Sequence, residues 1–87
     1  MGSSILNGKR VLAVDDEPDI LDILGEELEK HGVSVDKATS YEDGLQMLVS
    51  YSYDLVILDI MGVRGFDLLE FTRNMNLPVV MLTAHAL

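Results

Sequence analysis

Hydrophobic positions along this chain follow two periods, one close to 3.6 residues and one of two or fewer. Lys9 to Val14 (KRVLAV) is a short β-rich run that Asp15-Asp16-Glu17 terminates. From Asp19 to His31 the apolar residues Ile20, Leu21, Leu24 and Leu28 recur at three- and four-residue spacing, which predicts an amphipathic helix. Pro18 suits its first turn, Asp16 is placed to cap it, and Asp19 favours its dipole. Gly32, after Lys30 and His31, is a stop signal. Val33 to Ala38 alternates, as a half-exposed edge strand does. Ser40 opens a second helix, with Asp43 three residues on as a variant capping box and Tyr41, Leu45 and Leu48 as the inward stripe. That helix frays near Ser50 to Ser52. Leu55 to Leu58 is an unbroken apolar run ending on Asp59, a strand buried on both faces whose last residue carries a charge. A loop with two glycines, Met61 to Gly65, leads to a helix from about Phe66 to Asn74 with Leu68, Leu69 and Phe71 inward. Leu77-Pro78 breaks it, and Val79 to Leu82 forms a second fully apolar strand followed by Thr83-Ala84-His85-Ala86-Leu87.

The predicted order is βαβαβαβ. Strands alternating with helices imply right-handed crossovers and a parallel sheet covered on both faces. At 87 residues, without repeat, linker or low-complexity stretch, the chain reads as one α/β domain over residues 1–87. Its hydrophobic share of 48% is that of a globular protein, and the lack of cysteine excludes disulfides and thiolate metal sites. No apolar run approaches the roughly 20 residues of a membrane span. The start, Met1-Gly2-Ser3-Ser4, lacks the basic and apolar regions of a signal peptide, so a cytoplasmic protein is expected. The formal charge of −9 opposes direct contact with nucleic acid or an anionic membrane and is compatible with a divalent cation.

Chemistry concentrates where the strands end. Asp15 and Asp16 follow the first strand, Asp59 closes the third and Thr83 follows the fourth. Taken singly, the first two read as helix caps, Asp59 as a turn residue and Thr83 as a β-branched strand residue. Taken together they fall at the carboxyl edge of a parallel sheet, where ligands bind in open α/β folds. Neighbouring strands lie about 4.8 Å apart, so the ends can converge, and gathered carboxylates repel one another unless a cation sits between them. Hard oxygen ligands without His or Cys suit Mg²⁺. An Asp beside such a metal can act as a nucleophile at phosphorus, and the Thr83 hydroxyl can donate to a phosphoryl oxygen.

Three stretches carry a family resemblance: Val11-Leu12-Ala13-Val14-Asp15-Asp16-Glu17-Pro18, Tyr53-Asp54-Leu55-Val56-Ile57-Leu58-Asp59-Ile60-Met61 and Leu77-Pro78-Val79-Val80-Met81-Leu82-Thr83-Ala84. In that order they resemble the receiver domain of two-component response regulators. The resemblance implies a flavodoxin-like (CheY-like) doubly wound sheet of order 2-1-3-4, lacking the family's fourth helix, fifth strand and fifth helix. It implies that Asp59 accepts a phosphoryl group from a histidine kinase or phosphotransfer protein, and that Asp15, Asp16, Asp59 and the Met61 backbone carbonyl arrange Mg²⁺. Thr83 would be the switch hydroxyl, and the small Ala84 would leave the site accessible. On this reading the chain is a signalling module and not a turnover enzyme. A metal-dependent phosphatase with an Asp nucleophile is disfavoured, because the acid–base Asp such enzymes need two residues later is here Met61.

The chain departs from the family in three respects. Gly62-Val63-Arg64-Gly65 replaces the usual Met-Pro pair and later glycine; no lysine stands where the family's phosphoryl-contacting lysine does; and the last third of the fold, with its aromatic switch residue, has no counterpart. The expectation is a truncated receiver with impaired phosphotransfer. Its fourth strand would be an open edge able to template a homodimer or a domain-swapped oligomer. The alternative is an assembly fragment with a vestigial acidic site.

Overall fold

Seven elements follow one another as the periodicity predicts. A computed structural model describes residues 5–59 and 65–82. It contains β1 (Arg10–Val14), α1 (Pro18–Glu29), β2 (Ser34–Ala38), α2 (Tyr41–Ser50), β3 (Leu55–Asp59), α3 (Gly65–Asn74) and β4 (Val79–Leu82). All strand pairs are parallel and the sheet order is β2-β1-β3-β4, the order expected above.

Residues 11–14 of β1 and 55–58 of β3 are unbroken apolar runs because both faces of the sheet are covered over these central strands. Alternate residues of a strand point to opposite faces, so β1 sends Leu12 and Val14 one way and Val11 and Ala13 the other. The first pair joins Val56, Leu58, Leu48 and Leu68 in a core beneath α2 and α3. The second joins Leu21, Val33 and Ile57 beneath α1. β2 is half exposed and carries Asp36 and Lys37, whereas β4 has no charge at all. Val80 on β4 is 47% exposed.

Local chemistry fixes the helix ends. Ser40 caps α2 by accepting the Asp43 N–H at 3.1 Å, as its position predicts. At the other end of α1, the Val33 N–H reaches back to the Leu28 carbonyl and the Gly32 N–H to that of Glu29, with Gly32 at φ 81°. This crossed pair is the left-handed helix stop that glycine makes cheap. Asn76 (φ 57°) ends α3 in the same way, through Leu77 to Thr72 and Asn76 to Arg73, so the helix ends ahead of Leu77-Pro78. A Cβ at position 32 would sit in left-handed backbone and overlap the Asn7 side chain. Gly32→Ala is therefore expected to cost about 1–2 kcal/mol, read as a lower urea midpoint with unchanged slope.

Two expectations need correction. Asp16 does not cap α1: the N-cap is Glu17, which makes no side-chain cap bond, and the Asp15 carboxylate accepts the Glu17 N–H at 2.9 Å. Ile20 is not part of the buried stripe of α1. It is 36% exposed and Ile23 is 65% exposed, while Leu21 alone of the apolar α1 residues is fully buried. The apolar surface of α1 is thus wider than the surface it buries.

At the opposite, amino end of the sheet, the Tyr53-Asp54 pair ties three strands together. The Tyr53 hydroxyl donates to Asp36 at 2.7 Å, and Arg10 pairs with the same carboxylate at 2.9 Å while lying over the Tyr51 and Tyr53 rings. Burial, and the hydrogen bond to Asp36, push the Tyr53 phenol well above its usual range.

Candidate acidic site at the carboxyl edge of the sheet

Register brings the two key carboxylates together. Val14 on β1 lies opposite Leu58 on β3, so one step further along parallel strands sets Asp15 beside Asp59. Both share the face of Ala13 and Ile57, the α1 side. Both are nearly buried, at 6% and 7% exposure. The Asp15 N–H donates to the Ala38 carbonyl at 3.0 Å, which extends the β1–β2 ladder one residue past Val14. The Asp15 side chain is then held by the Glu17 N–H as the chain turns into the helix.

Among the described residues, Asp15, Asp16 and Glu17 bring carboxylate oxygens within 4.8 Å of one another. Asp15 and Asp59 line a cleft of about 340 Å³ together with Glu17, Ile20, Ile23, Leu24 and Leu82. Among the described residues its lining contains no Lys or Arg. A donor set of carboxylate oxygens without nitrogen or sulfur fits a hard divalent ion such as Mg²⁺.

The cost of this crowding shows on Asp15. Burial raises its carboxyl above the ordinary aspartate value of 3.8; the Glu17 N–H opposes this, and the charges of Asp59, Asp16 and Glu17 add to the rise. An acid whose pKa is higher in the folded state binds its proton more tightly when folded. Folding is thus penalised above the raised pKa, and the penalty fades as the pH falls through it toward 3.8. Asp15→Asn, which keeps an oxygen for the Glu17 N–H, is expected to melt above the wild type at pH 7 in chelator. The difference should vanish near pH 4. Calorimetry at the two pH values checks this, and an equal or lower midpoint at pH 7 would contradict it.

Of the residues singled out from the sequence, Asp15, Asp16 and Asp59 are placed at one edge. Thr83, Ala84 and Met61 lie outside the described residues. Sequence reasoning passed over Glu17 as a cleft residue. Its signal was its place directly after Asp15-Asp16, at the N-cap of α1.

The family model of the response regulator receiver domain matches residues 11–87. The chain is 42% identical over 80 residues to the uncharacterized transcriptional regulatory protein YrkP of Bacillus subtilis, covering 88% of this chain and 34% of that protein. It is 45% identical over 83 residues to the two-component response regulator ARR18 of Arabidopsis thaliana, covering 91% and 13%. The chain thus spans a third or less of these curated relatives. Among solved structures, response regulator TrrA of Thermotoga maritima in complex with Mg²⁺-BeF superposes with a TM-score of 0.82 at 40% identity, covering 90% of this chain and 71% of that one. TrrA in complex with the histidine kinase ThkA gives 0.79 at 38% identity, with 91% and 72% covered.

Proposed function

The chain belongs to the response regulator receiver domain family, and from that premise we propose that Asp59 is its phosphoacceptor, served by Mg²⁺ and a histidine kinase. The observation that carries this reading is the pairing of two nearly buried carboxylates, Asp15 and Asp59, at the carboxyl edge of a parallel sheet. A relative crystallised with Mg²⁺-BeF and with a histidine kinase supports the choice of metal and partner.

In the proposed reaction an Asp59 carboxylate oxygen attacks the phosphorus of a phosphohistidine. A P–O bond forms, the P–N bond breaks, and the imidazole leaves with the electron pair and is protonated. Asp59 becomes an acyl phosphate. Asp15, Asp16 and the Met61 carbonyl would hold Mg²⁺, which supplies charge neutralisation for the incoming phosphoryl oxygens. Asp15 is kept in orientation by the Glu17 N–H. Thr83 would act afterwards as the switch hydroxyl. The module transfers one group to itself and signals with it, and does not turn over substrate.

No described lysine serves the cleft. Lys37 pairs with Asp22 at 3.1 Å and Lys30 with Glu27 at 3.4 Å. We therefore expect metal binding to be retained more fully than phosphotransfer speed. The test is a titration with Mg²⁺ and then beryllofluoride, followed by amide NMR. The wild type should shift resonances around Asp15 and Asp59 at each step, and Asp59→Asn should lose the beryllofluoride step. No response of folded wild type to either ligand would sink the reading.

The charge-free edge of β4 favours a second role in assembly. We propose that it can pair with β4 of another copy, antiparallel about a two-fold axis, whereas Asp36 and Lys37 guard the β2 edge. Sedimentation of the wild type against Val80→Lys decides this: a dimer lost in the variant supports it, and a monomer in both contradicts it.

A further inference from the structure

The turn that leads into β1 carries a chemistry separate from the acidic site. Asn7 is followed by Gly8, a pair in which a side-chain amide stands within reach of a backbone nitrogen that no Cβ hinders. The Lys9 N–H donates to the Leu6 carbonyl at 3.1 Å, and of the two central residues only Gly8, at φ 84°, is in left-handed backbone. That is a type II turn, which puts glycine in third place. One residue at the end of α1 engages both reactive groups. The Gly8 N–H donates to the Gly32 carbonyl at 2.9 Å. The Asn7 side chain rests against Gly32, where a Cβ would lie 3.0 Å from its Cγ, so the bare glycine is what seats it. Around Gly8 there is open space, since a Cβ there would meet nothing within 4 Å, and Asn7 is exposed to water.

We propose that Asn7 is a site of self-modification that Gly32 holds shut. When the turn lifts from the end of α1, the Gly8 nitrogen closes onto the Asn7 side chain and converts it to isoaspartate or aspartate. The reaction needs only water. The Gly8 amide gives up its proton to solvent, and its nitrogen attacks Asn7 Cγ. A C–N bond forms, the Cγ–Nδ2 bond breaks, and ammonia leaves with a proton taken from water. The product is a five-membered imide, which water then opens. Cleavage at the main-chain carbonyl routes the chain through Cγ and yields isoaspartate, whereas cleavage at Cγ yields aspartate. In the closed turn ring formation is blocked twice: the Gly8 N–H is committed to Gly32, and the Asn7 amide lies on Gly32 and not over its own following peptide. A reaction confined to the open turn runs at the rate of the free peptide multiplied by the open fraction. Isoaspartate adds one carbon to the main chain between residues 7 and 8. The turn that presents the Gly8 N–H to Gly32 is then lost, so each opening that reacts becomes permanent.

The test uses the full chain, incubated in mildly alkaline buffer and digested for mass spectrometry that separates asparagine, aspartate and isoaspartate peptides. In buffer the wild type should convert at Asn7 at least about tenfold more slowly than in urea that unfolds it. Asn74 and Asn76, followed by Met75 and Leu77, serve as internal controls and should stay behind Asn7 in both. Gly32→Ala, whose Cβ takes the place of the Asn7 side chain, should speed conversion in buffer by about threefold or more and leave the rate in urea unchanged. Circular dichroism checks that this variant is folded. If it is not, the wild type decides alone: in urea below its unfolding transition, conversion should rise before the dichroism changes. Equal rates for the wild type in buffer and in urea overturn the proposal, as does no conversion in urea or conversion of Asn74 or Asn76 ahead of Asn7. So does an unchanged rate in folded Gly32→Ala, or a rate that rises only together with global unfolding.

Discussion

Leu58→Ala is expected to remove about 2–5 kcal/mol of stability, enough to leave a large unfolded fraction at 37 °C. Leu58 is fully buried at the middle of the sheet, opposite Val14 on one side and Met81 on the other. Its side chain belongs to the core beneath α2 and α3 with Leu12, Leu48 and Leu68. Deleting its three terminal carbons loses their transfer free energy and opens a cavity that the parallel strands, held by their ladders on both sides, cannot collapse to fill. A chain of this length is stabilised by only about 4–13 kcal/mol. In urea the midpoint should fall by roughly 1–3 M with the slope unchanged. Ile23→Ala, at a position 65% exposed, should move it hardly at all. Similar midpoints for the two variants would mean that the core is not where the structure places it.

The second large effect is on chemistry. Asp59→Asn should abolish Mg²⁺-dependent uptake of a phosphoryl group from acetyl phosphate, from close to one group per chain to none. The substitution removes the nucleophilic oxygen's charge while keeping its size. It also relieves the repulsion with Asp15, so the variant should fold at least as well as the wild type; the charge of Asp59 is among the causes that raise the Asp15 pKa. Lost uptake in a variant of undiminished stability separates chemistry from folding. Asp16→Asn, at an exposed member of the same acidic group, should weaken the dependence on Mg²⁺ and leave the modified position unchanged. Undiminished uptake by Asp59→Asn would move the nucleophile elsewhere.

Much of this was legible before any coordinates. The unbroken apolar run at residues 55–58 reads as a strand covered on both faces, the run at 79–82 as a second apolar strand, and the alternation at Val33 to Ala38 fits an edge. The seven elements followed from these patterns, and the strand order from the family resemblance. Placement within elements was harder to read. Ile20 and Leu21 are equally apolar, and which one α1 buries depends on how the helix lies across β1 and β2, which spacing alone does not specify. Asp16 looked like a cap because Asp just ahead of a helix is commonly one; in the fold Glu17 is the N-cap and the Asp15 carboxylate takes the Glu17 N–H. The closeness of Asp15 and Asp59 could be anticipated only as a possibility of the topology. It became definite with the Val14–Leu58 register.

Residue-resolved mapping of the phosphoryl group tests the central claim most directly. Wild-type chain would be incubated with acetyl phosphate and Mg²⁺, proteolysed under conditions that preserve acyl phosphates, and its peptides sequenced by mass spectrometry. The account predicts a single modified residue, Asp59, formed only with the metal present, however slowly. A phosphoryl group on Asp15 or Asp16, or an unmodified chain that is folded and has bound Mg²⁺, would contradict it.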